Sequence, residues 1–168
     1  MALPYQNDPR KLGLQGARLE GSVSIGDLTR LSLAVSRIRS PLQASIAFEL
    51  DESRQQFAKG IASVSVEVIC QRCLDPVVRD IQAKIALQII WSEDQISNVA
   101  PNYEPWVVVD KTADLIPVVE DELLLALPIV NYHDIEDCTG DAYQQNHVRE
   151  GVQAMPNNPF SVLQQLKK

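Results

Sequence analysis

What most limits the folds open to this chain is a pair of long alternating stretches on either side of Cys70-Gln71-Arg72-Cys73-Leu74-Asp75-Pro76. Upstream, Ala62, Val64, Val66 and Val68 alternate with Ser63, Ser65, Glu67 and Ile69. Downstream, Val77, Ile81, Ala83, Ile85, Leu87, Ile89 and Trp91 share one parity, and Val78, Asp80, Gln82, Lys84 and Gln88 the other. A period of two sends alternate residues to opposite faces of a strand, so the region reads as a long β-hairpin with Cys-x-x-Cys at its tip. A tight turn between antiparallel strands aims two sulfurs at one point, as half of a tetrahedral zinc site requires. A redox Cys-x-x-Cys needs a helix after the pair, whose N-terminus lowers the first thiol's pKa. Here Pro76 and a strand follow, which disfavours redox chemistry.

The rest of the chain surrounds this hairpin. Leu19, Val23 and Ile25 alternate as a first strand, and Ser24-Ile25-Gly26-Asp27 has a loosened capping-box form that opens a short helix to about Val35, with Leu28, Leu31 and Val35 on one side. Ala44, Ile46, Phe48 and Leu50 mark a second strand, Phe57 to Ile69 the third, and the run to Trp91 the fourth. A polar loop over 92–103 leads to an edge strand at Trp106–Asp110. Asp114 caps a helix with Pro117 in its first turn, ending near Leu127 before Pro128. Leu115, Val118, Val119, Leu123, Ala126 and Leu127 face the sheet, while Glu120, Asp121 and Glu122 are expected to project from the other side as an acidic surface, for solubility or for docking. After a polar stretch over 139–155, Asn158 as cap, Pro159 at the first helical position, and Phe160, Leu163 and Leu166 at helical spacing make a short amphipathic helix, one that docks on its own domain or in a partner's groove. The expected fold is α+β: an antiparallel β-sheet or partly closed barrel with a long hairpin, one packed helix and a short C-terminal helix. The expected organisation is an N-terminal arm over 1–16, a single α+β domain over 17–138, and a flexible linker with the amphipathic helix over 139–168.

Charge narrows the functions. The chain has 168 residues and a net charge of −7. Residues 1–40 carry six basic and three acidic groups, whereas residues 91–150 carry two basic and thirteen acidic. Domains that coat nucleic acid are usually basic, with a pI above roughly 9, so a sequence pI near 4.8 argues against that role and suits a basic partner. Local cations at Arg72 on the hairpin tip and at Arg10, Lys11 and Arg18 are candidates for phosphate contact. No run approaches a membrane span, the N-terminus lacks a signal-peptide pattern, and three cysteines fit poorly with a secreted disulfide framework, so a cytoplasmic protein is expected. There is no glycine-rich phosphate loop, no His-Glu-x-x-His and no Gly-x-Ser-x-Gly, and only two histidines are present to act as general bases.

Cys70-Gln71-Arg72-Cys73-Leu74-Asp75-Pro76, Val119-Glu120-Asp121-Glu122-Leu123-Leu124-Leu125-Ala126-Leu127-Pro128, His133 with Cys138, and Asn158-Pro159-Phe160 with Leu163 and Leu166-Lys167 together resemble, in order and spacing, the YceD family, described as large ribosomal RNA subunit accumulation protein. The resemblance spans essentially the whole chain. It implies a cytoplasmic, non-catalytic factor for accumulation of 23S ribosomal RNA and assembly or maturation of the large ribosomal subunit. The implied partner is a large-subunit precursor, through its RNA or a basic ribosomal protein, with no DNA and no membrane. Many members of the family carry further cysteines after the Leu-Ala-Leu-Pro helix; this chain offers His133 and Cys138 there. Cys70, Cys73, His133 and Cys138 would make a three-cysteine, one-histidine set for one structural zinc, and the other outcome is a lapsed site with free or packed thiols. Two alternative functions stand beside the assembly factor: a zinc-knuckle docking module, and a thiol enzyme using Cys70 or Cys73.

Overall fold

The computed structural model describes residues 2–139. Its centre is the hairpin of β5 (Gln56–Ile69) and β6 (Pro76–Ile90), whose strands pair from Gln56↔Ile89 to Ile69↔Pro76. On the inner face buried Ala58, Ala62, Val64 and Val68 meet buried Leu87, Ala83, Ile81 and Val77, while buried Val66 lies opposite the half-buried Arg79. Outward-facing Ile61 and Val78 are each half exposed, so the two faces differ in environment and the alternation is enforced by burial.

On one side β4 (Leu42–Leu50) pairs with β5, and β2 (Arg18–Val23) pairs with β4. The short β3 (Arg37–Ile38) continues this edge against β5. On the other side β7 (Glu104–Val107) adds to β6 in parallel. The sheet is therefore mixed, and it does not close into a barrel. A parallel neighbour requires a connection of a dozen residues or more, and the loop over 91–103 supplies it. Buried Gln88 pins that loop: its Oε1 accepts from Ala100 N at 2.8 Å and its Nε2 donates to Gln55 Oε1 at 3.2 Å. β1 (Gln6–Asn7) and β8 (Ala113–Asp114) form a separate two-stranded pair.

Where an aperiodic arm is expected, the chain folds. Leu3 enters the core, and α1 (Pro9–Gln15) packs across β4 and β5. Asp8 caps α1 by accepting from Lys11 N, Pro9 occupies its first turn, and Gly16 ends it in the left-handed region at φ 57°. Ser24, by contrast, makes no capping hydrogen bond. Asp27 is engaged by the Tyr5 hydroxyl, which donates to Oδ2 at 2.7 Å, and Ile25–Asp27 form a single 3-10 turn. The helix proper is α2 (Thr29–Ala34), entered from Leu28, whose side chain has no acceptor to offer.

That acceptor comes from α3 (Leu115–Ala126), which Asp114 caps as expected through Ile116 N. Glu120 is only 3% exposed, and its Oε1 accepts from Leu31 N at 2.7 Å. The expected acidic surface is thus corrected. α2 lies against α3, so Glu120 is buried and caps the neighbouring helix, which satisfies an otherwise orphaned N–H and places a carboxylate at the positive end of its dipole. Asp121 pairs with Arg30. Glu122 is partly buried, and burial, then the charges of Glu104 and Asp121, push its carboxyl up.

One glycine is required by packing. A Cβ on Gly60 would lie 2.1 Å from Ser45 O and 2.9 Å from Ile46 Cα, because β4 crosses β5 very closely there.

Three substitutions test this packing by urea denaturation. Glu120→Ala should cost about 1–3 kcal/mol, because it leaves Leu31 N–H buried and unpaired, whereas Asp121→Ala, which removes an exposed ion pair, should cost at most about 1 kcal/mol. Gly60→Ala should cost about 1–3 kcal/mol by forcing β4 off β5; unchanged midpoints would show that the two strands have slack.

Candidate metal centre

The hairpin tip is built by backbone first. Leu74 N–H donates to Cys70 O and Cys70 N–H to Asp75 O, both at 2.9 Å, and Leu74 takes φ 66° to reverse the chain. A left-handed conformation costs a non-glycine residue about 1–2 kcal/mol. The turn it permits brings the sulfurs of Cys70 and Cys73 together, and the Leu74 side chain is left in solvent.

The second half of the site arrives on the segment after α3. Gln71 N–H donates to Asn131 O at 2.8 Å, Gln71 Nε2 to Ile129 O at 3.3 Å, and Arg79 Nη2 to Tyr132 O. The Arg72 guanidinium sits 5.0 Å from the Tyr132 ring centroid, close enough for a cation–π contact. Thr139 Oγ1 donates to Asp75 Oδ2 at 3.2 Å. These contacts lay residues 129–139 along the tip and deliver His133 and Cys138 to the cysteine pair.

The ligand atoms of Cys70, Cys73, His133 and Cys138 all lie within 4.8 Å of one another. Cys70 Sγ is 3.9 Å from Cys138 Sγ, and Cys73 Sγ is 3.2 Å from His133 Nδ1. Four ligands at the usual zinc–sulfur length would stand about 3.8 Å apart at the corners of a tetrahedron, so the set fits a metal ion with only small adjustments. His133 Nε2–H donates to Pro76 O at 3.0 Å. A carbonyl can only accept, so this bond places the proton on Nε2 and turns the Nδ1 lone pair toward the sulfurs, the second-shell arrangement typical of a ligating histidine.

Of the perturbed groups in this set, only Cys70 is shifted toward the form that ligates a metal, while Cys73 and His133 are held toward their protonated forms. Burial pushes the Cys70 thiol up, but backbone N–H groups of Cys73, His133 and Arg72 and the Cys73 side chain outweigh it and hold Cys70 at about 5. Cys73 goes the other way: burial raises it, the Asp75 N–H lowers it, and the neighbouring Cys70 and Cys138 sulfurs raise it again. His133 is raised chiefly by its hydrogen bond to Cys70, against the opposing effect of burial. The sulfur that ionises readily is fully buried and the more accessible one resists ionisation. A thiol nucleophile needs a thiolate that is also accessible, and the buried Cys70 lacks that access.

The other expected contact residues are dispersed. Arg10 stacks on Trp91 at 4.1 Å, and Arg18 pairs with Glu20 at 2.8 Å. Phe160, Leu163 and Leu166 lie outside the described residues. Sequence reasoning overlooks the groups that hold the tip in place, Asn131, Tyr132 and Thr139; only the position of Thr139 beside Cys138 hints at any of them. Among the described residues no helix is long and apolar enough to cross a membrane.

The model of the family described as Large ribosomal RNA subunit accumulation protein YceD matches residues 58–167. A protein of that same name from Haemophilus influenzae is 32% identical over 169 residues, covering 99% of this chain and 97% of its own length. No solved structure matches. Matched by the family's model over more than half its length and by a full-length relative, this chain belongs to the YceD family.

Proposed function

We propose that this protein is a non-catalytic factor for the accumulation of large-subunit ribosomal RNA, acting in the cytoplasm by binding a large-subunit precursor through its RNA or a basic ribosomal protein. The observation that carries the reading is the near-full-length similarity to a relative named for large ribosomal RNA subunit accumulation. The site chemistry supports a binding role: the convergent groups are ligand-like, with the readily ionised Cys70 buried beneath the tip.

In this reading Cys70, Cys73, His133 and Cys138 hold one structural zinc. A closed set of four protein ligands leaves no open coordination position, so the metal supplies cross-linking and charge neutralisation rather than catalysis. The chain's own residues do the rest. Amides of Arg72, Cys73 and His133 stabilise the Cys70 thiolate, Pro76 O orients the imidazole, and the tip becomes a rigid platform carrying Arg72. Phe160, Leu163 and Leu166, outside the described residues, would supply a further apolar contact to the partner.

Depletion and complementation test the reading. Loss of the protein should lower large-subunit RNA relative to small-subunit RNA, the full chain should restore it, and the full chain should co-sediment with large-subunit precursors. Removal of residues 158–168 should weaken that co-sedimentation while leaving thermal melting unchanged. Equal RNA levels with and without the protein would overturn the assembly role.

A further inference from the structure

The sheet has two unlike faces. The inner one carries the core. The outer one, across β2, β4, β5 and β6, is a shallow groove of about 720 Å3. Pairing defines its floor in cross-strand rows. One row runs Arg18, Ala47, Lys59, Ala86, and the next runs Ser45, Ile61, Lys84, with Glu20 at its outer end on the edge strand. Ala47 therefore lies between Arg18 and Lys59, and Ala86 beyond Lys59, so the first row leaves its backbone open to a ligand. Tyr103, just before β7, closes one end, its ring 4.6 Å from that of Phe57 and 5.6 Å from Lys59 Nζ.

The charge of this groove is opposite to that of the protein. The chain carries 22 acidic and 15 basic residues, yet the lining of the groove holds Arg18, Lys59 and Lys84 and no carboxylate. Glu20 and Glu49 stand at the rim, paired with Arg18 at 2.8 Å and with Lys59 at 2.7 Å. Exposed ion pairs of this kind contribute little, so a phosphate can share or replace them. Lys84 makes no hydrogen bond or ion pair among the described residues. A positive groove with an aromatic ring at one end is the combination by which proteins hold unpaired nucleic-acid strands, phosphates on the cations and a base on the ring.

We propose that the outer face of the sheet binds single-stranded RNA, with Arg18, Lys59 and Lys84 on successive phosphates and Tyr103 against a base. This rests on the reading that the chain acts on large-subunit precursors, and it names the surface and the chemistry of the contact. A sheet face of this width accommodates two or three nucleotides. It also resolves the objection from net charge, because the contact is local and the surrounding acidic surface opposes nonspecific coating.

The test is fluorescence anisotropy of the full chain with a short mixed-sequence single-stranded RNA across a salt series, beside co-sedimentation with large-subunit precursors. Wild type should bind with a log–log salt slope near −2, from about 0.7 per phosphate for three contacts. Combined Arg18→Ala, Lys59→Ala and Lys84→Ala should lower affinity at least about tenfold and flatten the slope. Tyr103→Leu should lower affinity by about tenfold with the slope kept. Ala47→Glu, which places a carboxylate between two of the cations, should block binding with thermal melting unchanged, whereas Arg37→Ala with Lys111→Ala, off the groove, should leave binding intact. A duplex of the same sequence should compete poorly. Wild-type affinity and slope in the triple variant would overturn the groove, and continued co-sedimentation would then leave the broader assembly role standing. Loss of co-sedimentation with RNA affinity unchanged would also overturn it, assigning the groove to a protein partner. Failure of the wild-type chain to associate with precursors at all would instead remove the broader reading.

Discussion

Three sulfurs and an imidazole converging within 4.8 Å at the end of a hairpin form the constraint on which the rest of the structure depends. Lone pairs so placed repel one another once ionised, and the amides aimed at Cys70 favour ionisation. A bound cation would reverse that balance and turn mutual repulsion into a cross-link between residues 70–73 and residues 133–138, positions far apart in sequence. Around the cluster, the hydrogen bonds from Gln71 to Asn131 and Ile129 and from Thr139 to Asp75 already hold the returning segment in register. The hydrogen bonds set the geometry, and the metal would set the strength.

From that tip the structure extends through β5 and β6 to a sheet whose two faces separate stability from recognition. The inner face, covered by α2 and α3, contains a buried carboxylate whose role is local: Glu120 terminates α2 and so fixes the spacing of the two helices. Among the described residues no element covers the central rows of the outer face, and Lys59 stands there between Ala47 and Ala86. The close approach at Gly60 brings β4 and β5 together under that groove, so the same backbone contact that packs the sheet shapes its floor.

The hairpin was legible because each strand has one buried and one solvated face, and alternation records that difference directly. The four metal-type donors were legible by residue type, since cysteine and histidine are scarce in this chain. What escaped depends on partners remote in sequence. Glu120 lies on the nominally polar side of α3, and only the approach of α2, whose Leu31 is 89 residues away, shows why a carboxylate is buried there. The parallel direction of β7 follows from the path of 91–103, which Gln88 fixes by tertiary hydrogen bonds. α1 did carry a local signal, Asp8 as cap with Pro9 as its first residue and Gly16 after it, but the helix is too short for apolar periodicity to mark it.

The central claim is that the hairpin tip is fastened by metal, and elemental analysis of the full chain purified without a histidine tag tests it most directly. The account predicts about one zinc per chain in the wild-type protein and its loss in Cys70→Ser, because removal of one thiolate opens the tetrahedral set. Wild-type protein that is folded and free of metal would contradict it, leaving the tip held by hydrogen bonds and packing alone.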